Sequence, residues 1–258
     1  MSVPAGTVYL VGAGPGAPDL LTLRAARLLA RADIVFYDAL VHPEIVALAT
    51  HAEKIAVGKR CGRHSAAQRF INKRLVDAAT LHSTIVRLKG GDPMLFGRAQ
   101  EEIDALQAAG VMVEVVPGVT AALAACADLQ TSFTQRGVSR HVALVTPRIG
   151  EGQDPSDWMR TVCNADSAAI YMAAGQSAAL SARLLAAGLP ALTPVVLVEN
   201  ASLPDMRRIH THLAGLPQAA ARLGDGPALI LLGAAFARIV AAADTEQQRP
   251  WMSRAQAL

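Results

Sequence analysis

The sequence predicts an α/β protein of two domains, and three observations carry that reading. Over residues 1–132, short apolar runs alternate with stretches whose apolar residues recur at helical spacing, the pattern of a largely parallel sheet flanked by helices. A polar segment, QTSFTQRGVSR (Gln130 to Arg140), then breaks the periodicity and reads as a linker. Beyond it come further strand-like runs, one of which, RRIHTHL, alternates in polarity and suits an antiparallel partner, so the second sheet is expected to be mixed. A chain of 258 residues has ample length for two cores, and the expected division is 1–132, 133–243 and a loose tail over 244–258.

The elements follow in order. TVYLVG (Thr7 to Gly12) is a buried-strand signal, and PDLLTLRAARLLARAD opens a helix at about Asp19, with Pro18 and Asp19 as start residues. IVFYD (Ile34 to Asp38), KIAV (Lys54 to Val57), TIVRL (Thr84 to Leu88) and VMVEVV (Val111 to Val116) read as strands. Helices are expected near Pro43 to Ala49, across Ala67 to Leu81, from Arg98 to Ala109, and after Pro117 and Gly118. In the second domain HVALVT (His141 to Thr146), AAIYM (Ala168 to Met172), PVVLVE (Pro194 to Glu199) and ALILLG are strands, with a helix near Gln176 to Ala187 and a polar loop at Gly150 to Ser156.

Composition narrows the function classes. At 52% hydrophobic, 17% charged and 4% aromatic the chain is globular, and neither disorder nor a base-stacking nucleic-acid surface is favoured. Net charge is only +3, yet basic residues cluster: Lys59, Arg60, Arg63 and His64; Arg87, Lys89 and Arg98; Arg136, Arg140 and Arg148. Such clusters suit either a polyanionic ligand or solvated faces. Cys61, Cys126 and Cys163 form no C-x-x-C pair, which argues against a disulfide framework and for a reducing cytoplasm. No signal peptide, membrane span or membrane partner is expected. His210 and His212 share a strand face without a third ligand, so a metal-free site is expected.

The glycine loops carry the chemistry. VGAGPGAPDLLT follows a strand and opens a helix, and Gly12, Gly14 and Ala17 satisfy the dinucleotide fingerprint, with Asp38 at the end of the next strand. Pro15 and Pro18 oppose that reading, because Pro18 lacks an amide donor and Pro15 stiffens the turn that would cradle a diphosphate.

Taken together and in order, VGAGPGAPDLLTLRA, YDALV, VGKRCGRHS, VRLKGGDPMLFGRAQEE, VVPGVTAALAA and TQRG, continued by YMA, VENAS and GPALILLG, resemble the uroporphyrinogen-III C-methyltransferases of the tetrapyrrole methylase family over nearly the whole chain. The resemblance implies the tetrapyrrole-methylase fold, two α/β domains with an active-site cleft between them, as a cytoplasmic homodimer. It further implies two methyl transfers from S-adenosyl-L-methionine to uroporphyrinogen III, at C2 and C7, giving precorrin-2 for siroheme or cobalamin. No nucleic-acid partner is expected, and at this length a stand-alone methylase is expected.

Matched motif by motif, the resemblance points to Pro15, Gly90, Gly91, Asp92, Thr120, Ala121, Met172, Ala201 and Ala228 as contacts of the methyl donor. Most are small or offer backbone alone, which suits a folded ligand recognised by shape. It also implies Asp38 as general base, Lys59 as proton donor, Arg98 and Glu101 in substrate handling, and Arg136 as a second substrate-facing arginine. Plainer readings stand beside these: a tight turn for Gly90 and Gly91, core packing for Met172 and Ala228, a turn acid for Asp38, and a surface ion pair for Arg98 and Glu101. The sequence departs from the family pattern at Ser132, Phe133, Gln135, Pro147, Arg148 and Ala173. The alternatives are a methylase of a later precorrin or of a non-tetrapyrrole substrate, which these departures would suit, a non-catalytic sensor of the methyl donor, and a nicotinamide-dependent oxidoreductase.

Overall fold

In the computed structural model, which describes residues 6–57, 64–149 and 157–248, the chain forms two compact units, one reaching to Ala124 and one beginning at Ala125. The first contains β1 (Thr7–Gly12), α1 (Leu23–Arg31), β2 (Ile34–Tyr37), α2 (Pro43–Ala47), β3 (Glu53–Ala56), α3 (His64–Ala79), β4 (Thr84–Lys89), α4 (Ala99–Ala108) and β5 (Met112–Val116). α5 (Ala121–Asp128) follows, and the division falls inside it. The sequence-based boundary at 132/133 lies a few residues further on.

The first sheet has the order β3-β2-β4-β1-β5, and every pair is parallel. Its three central strands, β1, β2 and β4, are mostly buried on both faces, as parallel strands covered by crossover helices are, while the edge strands β3 and β5 are largely exposed or half-buried. Val11, Val35, Val86 and Leu88 pack with Ala25, Leu28 and Leu29 of α1 and Ile45 and Val46 of α2. Val8, Leu10, Ile34, Phe36 and Ile85 pack on the other face with Ile71 and Leu75 of α3 and Leu106 of α4. Each fully buried side chain of this size contributes about 1.5–3 kcal/mol.

One start site differs from expectation. Pro18–Leu20 form only a 3-10 turn, and α1 begins at Leu23, where the Thr22 hydroxyl accepts from Ala25 N at 3.2 Å. Threonine supplies the side-chain acceptor that the orphan amides of a first turn need, and Pro18 has none to offer.

The second unit contains β6 (Val142–Val145), α6 (Trp158–Cys163), β7 (Ser167–Ile170), α7 (Ser177–Ala186), β8 (Pro194–Glu199), β9 (Arg207–His212), α8 (Leu216–Ala220), β10 (Ala228–Gly233) and α9 (Ala237–Gln248). Its sheet is mixed, in the order β6-β7-β10-β8-β9: β6 and β7 are parallel and the other pairs antiparallel. α6 lies in an interval where only a polar loop was expected. α9 carries regular structure to Gln248, so the first residues of the expected tail are helical.

The departures at the linker have structural roles. Phe133 is buried with its ring centroid 6.0 Å from that of Phe236, and Gln135 Nε2 donates to Ser132 O and Ala235 O, both at 3.0 Å. Ala173 is also buried.

Candidate active site

The chain leaves β1 to build β2 and β3 and returns through β4 to β1's side, so the loops after these two neighbouring strands meet at the carboxyl edge of the sheet. Ligand sites of open parallel sheets gather at such a reversal. Here the backbones interlock: Gly14 N donates to Gly91 O at 3.1 Å and Gly91 N to Gly14 O at 2.7 Å. Ala13 N donates to Lys89 O at 2.7 Å. The loop after β5 presses against both, since a Cβ on Gly12 would stand 2.6 Å from Gly118 N and 2.8 Å from Gly91 O. Glycine is required there because backbone, not a side chain able to turn aside, occupies the space. Asp92 finishes the tie: Oδ2 accepts from Gly118 N at 2.9 Å and Oδ1 from Met94 N at 2.8 Å.

This interlock decides the dinucleotide question for the first loop. The amides of Ala13 and Gly14 are already used within the protein, Pro15 and Pro18 have none, and no α-helix starts at the glycines. The helix N-terminus that a diphosphate needs is therefore absent from this loop. By contrast a Cβ on Gly91, whose φ is +69°, would meet nothing within 4 Å among the described residues. Open space adjoins the loop at that point.

Asp38 follows β2 at the same edge. Its Oδ1 accepts from Arg87 Nη2 at 2.5 Å, and its side chain is 30% exposed. Arg87 and Lys89, two of the clustered basic residues, are neither solvated nor open to a polyanion: Arg87 Nε lies 3.1 Å from Glu102 Oε1 and Lys89 Nζ 3.0 Å from Glu102 Oε2, with all three side chains buried. Burial disfavours the charged guanidinium, but Glu102 and Asp38 outweigh it and hold the Arg87 pKa above its ordinary value. For Lys89, burial and then the charge of Arg87 prevail, pushing the ammonium below its ordinary 10.5 against the pull of Glu102. Sequence reading missed Glu102 and the burial of its partners. The available signal was a strand, TIVRLK, whose two cations alternate with apolar residues in a sheet covered on both faces.

Arg98 and Glu101 form a two-pronged pair, with Arg98 Nε on Glu101 Oε1 at 2.7 Å and Nη2 on Oε2 at 2.6 Å. The hydrogen bond from Arg98 holds the Glu101 carboxyl below the usual 4.5. Arg98 is the N-cap of α4 and takes the left-handed conformation at φ 55°, and nearby Phe96 is also left-handed, at 53°. Such strain, of order 1–3 kcal/mol per residue, tends to collect at ligand sites. Thr120 and Ala121 stand at the start of α5, just after Gly118. Lys59 lies outside the described residues.

In the second unit Met172, Ala201 and Ala228 gather at one edge of the mixed sheet. Met172 and Ala201 follow the ends of β7 and β8, and Ala228 opens the antiparallel β10 that lies between those strands, opposite Glu199. Ala201 is buried, whereas Met172 is exposed, so core packing does not account for the methionine. Met172, Asn200 and Ser202 all take positive φ, at 55°, 55° and 69°. Glu199 braces this edge, accepting from Gly226 N at 3.0 Å and pairing with Arg207 at 3.1 Å. Arg136 is exposed in the turn closed by the Gln135–Ser139 bridge and belongs to the second unit, whereas Arg98 belongs to the first. Among the described residues no group of three or more His, Cys, Asp or Glu is placed to hold a metal, and no helix is long and apolar enough to cross a membrane.

A parallel sheet with interlocked glycine loops beside a carboxylate, joined in one chain to a mixed sheet, defines a two-domain α/β protein with a small-molecule site. The chain belongs to the tetrapyrrole (corrin/porphyrin) methylases, whose family profile it matches over residues 7–217. It is 43% identical over 230 residues, 88% of the chain and 50% of the relative, to a siroheme synthase of Azotobacter vinelandii. The native form of a uroporphyrin III C-methyl transferase from Thermus thermophilus superposes with a TM-score of 0.78 at 39% identity, covering 91% of this chain and 94% of that one. A uroporphyrin-III C-methyl transferase from the same organism, complexed with S-adenyl homocysteine, gives a TM-score of 0.78 at 40% identity, over 91% and 100% of the two chains. The chain spans about half the length of the curated relatives it matches.

Proposed function

We propose that the chain transfers methyl groups from S-adenosyl-L-methionine to C2 and then C7 of uroporphyrinogen III, forming precorrin-2 and two molecules of S-adenosyl-L-homocysteine. The observation that carries this reading is the glycine-built edge of the parallel sheet with the Asp38 carboxylate beside it. Likeness to transferases named for uroporphyrin III, one of them bound to the demethylated donor, supports the choice of both substrates.

The residues present suit such a donor. Open space beside Gly91, and an interlock that leaves the first loop without the consecutive amides a diphosphate needs, favour a ligand without phosphates that is recognised by shape. The proposed donor contacts are Pro15, Gly90, Gly91, Asp92, Thr120, Ala121, Met172, Ala201 and Ala228. The donor supplies an activated methyl on a sulfonium, so the protein's task is alignment and proton management. Methylation at a pyrrole carbon makes the ring cationic until a neighbouring position loses a proton. Asp38 accepts that proton, and Lys59 serves as donor. Arg98, held by Glu101, and Arg136 engage the carboxylates of the tetrapyrrole, which guanidinium forks match in geometry. The working form is a cytoplasmic homodimer, and its product feeds siroheme or cobalamin synthesis.

Incubating the purified protein with both substrates under reducing conditions tests the reading. Mass spectrometry of the tetrapyrrole is expected to show a gain of two methyl groups; an unchanged mass would overturn it.

A further inference from the structure

We propose that Glu102 is a positioning residue for methyl transfer, acting through Arg87 on Asp38, an inference that rests on the reading of Asp38 as proton acceptor. Glu102 is fully buried on α4, and its carboxylate is divided between two cations of β4: Oε1 accepts from Arg87 Nε at 3.1 Å and Oε2 from Lys89 Nζ at 3.0 Å. Gln68 of α3 adds a third bond, Nε2 to Oε1, at 3.1 Å. Arg87 and Lys89 stand two apart on one face of the strand, with side chains 2% and 4% exposed. Without the carboxylate between them, two like charges would share a dry site.

The consequence for Asp38 is geometric. Arg87 Nε is committed to Glu102, and Nη1 donates to Leu88 O at 3.2 Å. A planar guanidinium anchored at two nitrogens has its third direction settled, and that nitrogen, Nη2, meets Asp38 Oδ1 at 2.5 Å. Asp38 is thus held by one oxygen, while Oδ2 has no hydrogen-bond partner among the described residues. A proton acceptor so fixed presents one oxygen in one place, and small displacements of such a group cost up to about a hundredfold in rate.

The test is a double-mutant cycle of Glu102→Gln with Asp38→Asn, read in single-turnover methylation and in binding of S-adenosyl-L-homocysteine. Glu102→Gln alone is expected to lower the methylation rate roughly ten- to hundredfold while the affinity for S-adenosyl-L-homocysteine stays unchanged. In the Asp38→Asn background the same change is expected to cost less than about twofold, because the residue it serves is already disabled. A merely structural Glu102 would depress both backgrounds alike, and equal penalties overturn the proposal, as does a fall of under about twofold in the single variant. Full activity of Asp38→Asn would overturn the reading of the base, and the inference with it, whereas an inactive Asp38→Asn beside a fully active Glu102→Gln overturns the inference alone. If Glu102→Gln does not fold, Arg87→Lys takes its place. It keeps the buried charge but loses the fork that spans Glu102 and Asp38, and the same non-additivity is required of it.

Discussion

Asp92 Oδ2 accepts a hydrogen bond from Gly118 N at 2.9 Å, and this one contact ties the loop after β4 to the loop after β5. Both loops supply proposed donor contacts, Gly90 and Gly91 on one side, Thr120 and Ala121 on the other. Asp92→Ala removes the acceptor and leaves a partly buried amide unpaired, a loss of about 1–3 kcal/mol. The expected result is roughly tenfold weaker binding of S-adenosyl-L-homocysteine by calorimetry, equivalent to about 1.4 kcal/mol. Unaltered affinity would remove Asp92 from the site.

Gly118→Ala probes the same corner sterically. Its Cβ would collide with Gly91 O and lie 2.9 Å from Gly12 Cα, so backbone must yield. Overpacking of this kind costs about 1–3 kcal/mol, and it should reduce both the melting temperature and the stabilisation by S-adenosyl-L-homocysteine. Wild-type protein should be stabilised by that ligand and not by NADH; the opposite ranking would restore the dinucleotide reading of VGAGPGA.

Arg98→Gln separates substrate handling from stability. Its ion pair with Glu101 is exposed, with side chains 40% and 52% accessible, and exposed pairs are worth about 0–1 kcal/mol. The melting temperature should scarcely move, while KM for uroporphyrinogen III rises and affinity for S-adenosyl-L-homocysteine is retained. A variant with wild-type KM would return the pair to the role of a surface contact.

Asp166 gives a pH dependence of known sign. Its carboxylate accepts from Arg140 N at 2.7 Å and His141 N at 2.8 Å, and the bond from His141, then that from Arg140, holds its pKa below the ordinary 3.8. A depressed acid contributes stability above its unfolded-state pKa and loses it as pH falls through the folded value. Urea unfolding of wild type and Asp166→Ala should therefore differ most near neutrality, and the gap should narrow below about pH 4. A gap that widens as pH falls below about 4 would contradict the assignment.

Local pattern determined much of this protein. Strand and helix periodicity laid out β1 to β5 and their parallel character, alternation in RRIHTHL marked β9 as antiparallel, and the ordered glycine motifs pointed to the family now shown. These signals are short-ranged: they depend on which residues lie within a few positions of one another. Two kinds of fact were decided only by tertiary structure. Gly14 meets Gly91 because β1 and β4 are neighbours despite two intervening strands, and that meeting consumes the amides a fingerprint alone would assign to a diphosphate. Arg87 and Lys89, which along the chain suit either a polyanion or solvent, are driven with Glu102 into a shared buried network because α3 and α4 close over that face of β4. A buried charge must find its counter-charge within a few ångströms, and which partner arrives there is a property of the packed layers rather than of any stretch of sequence.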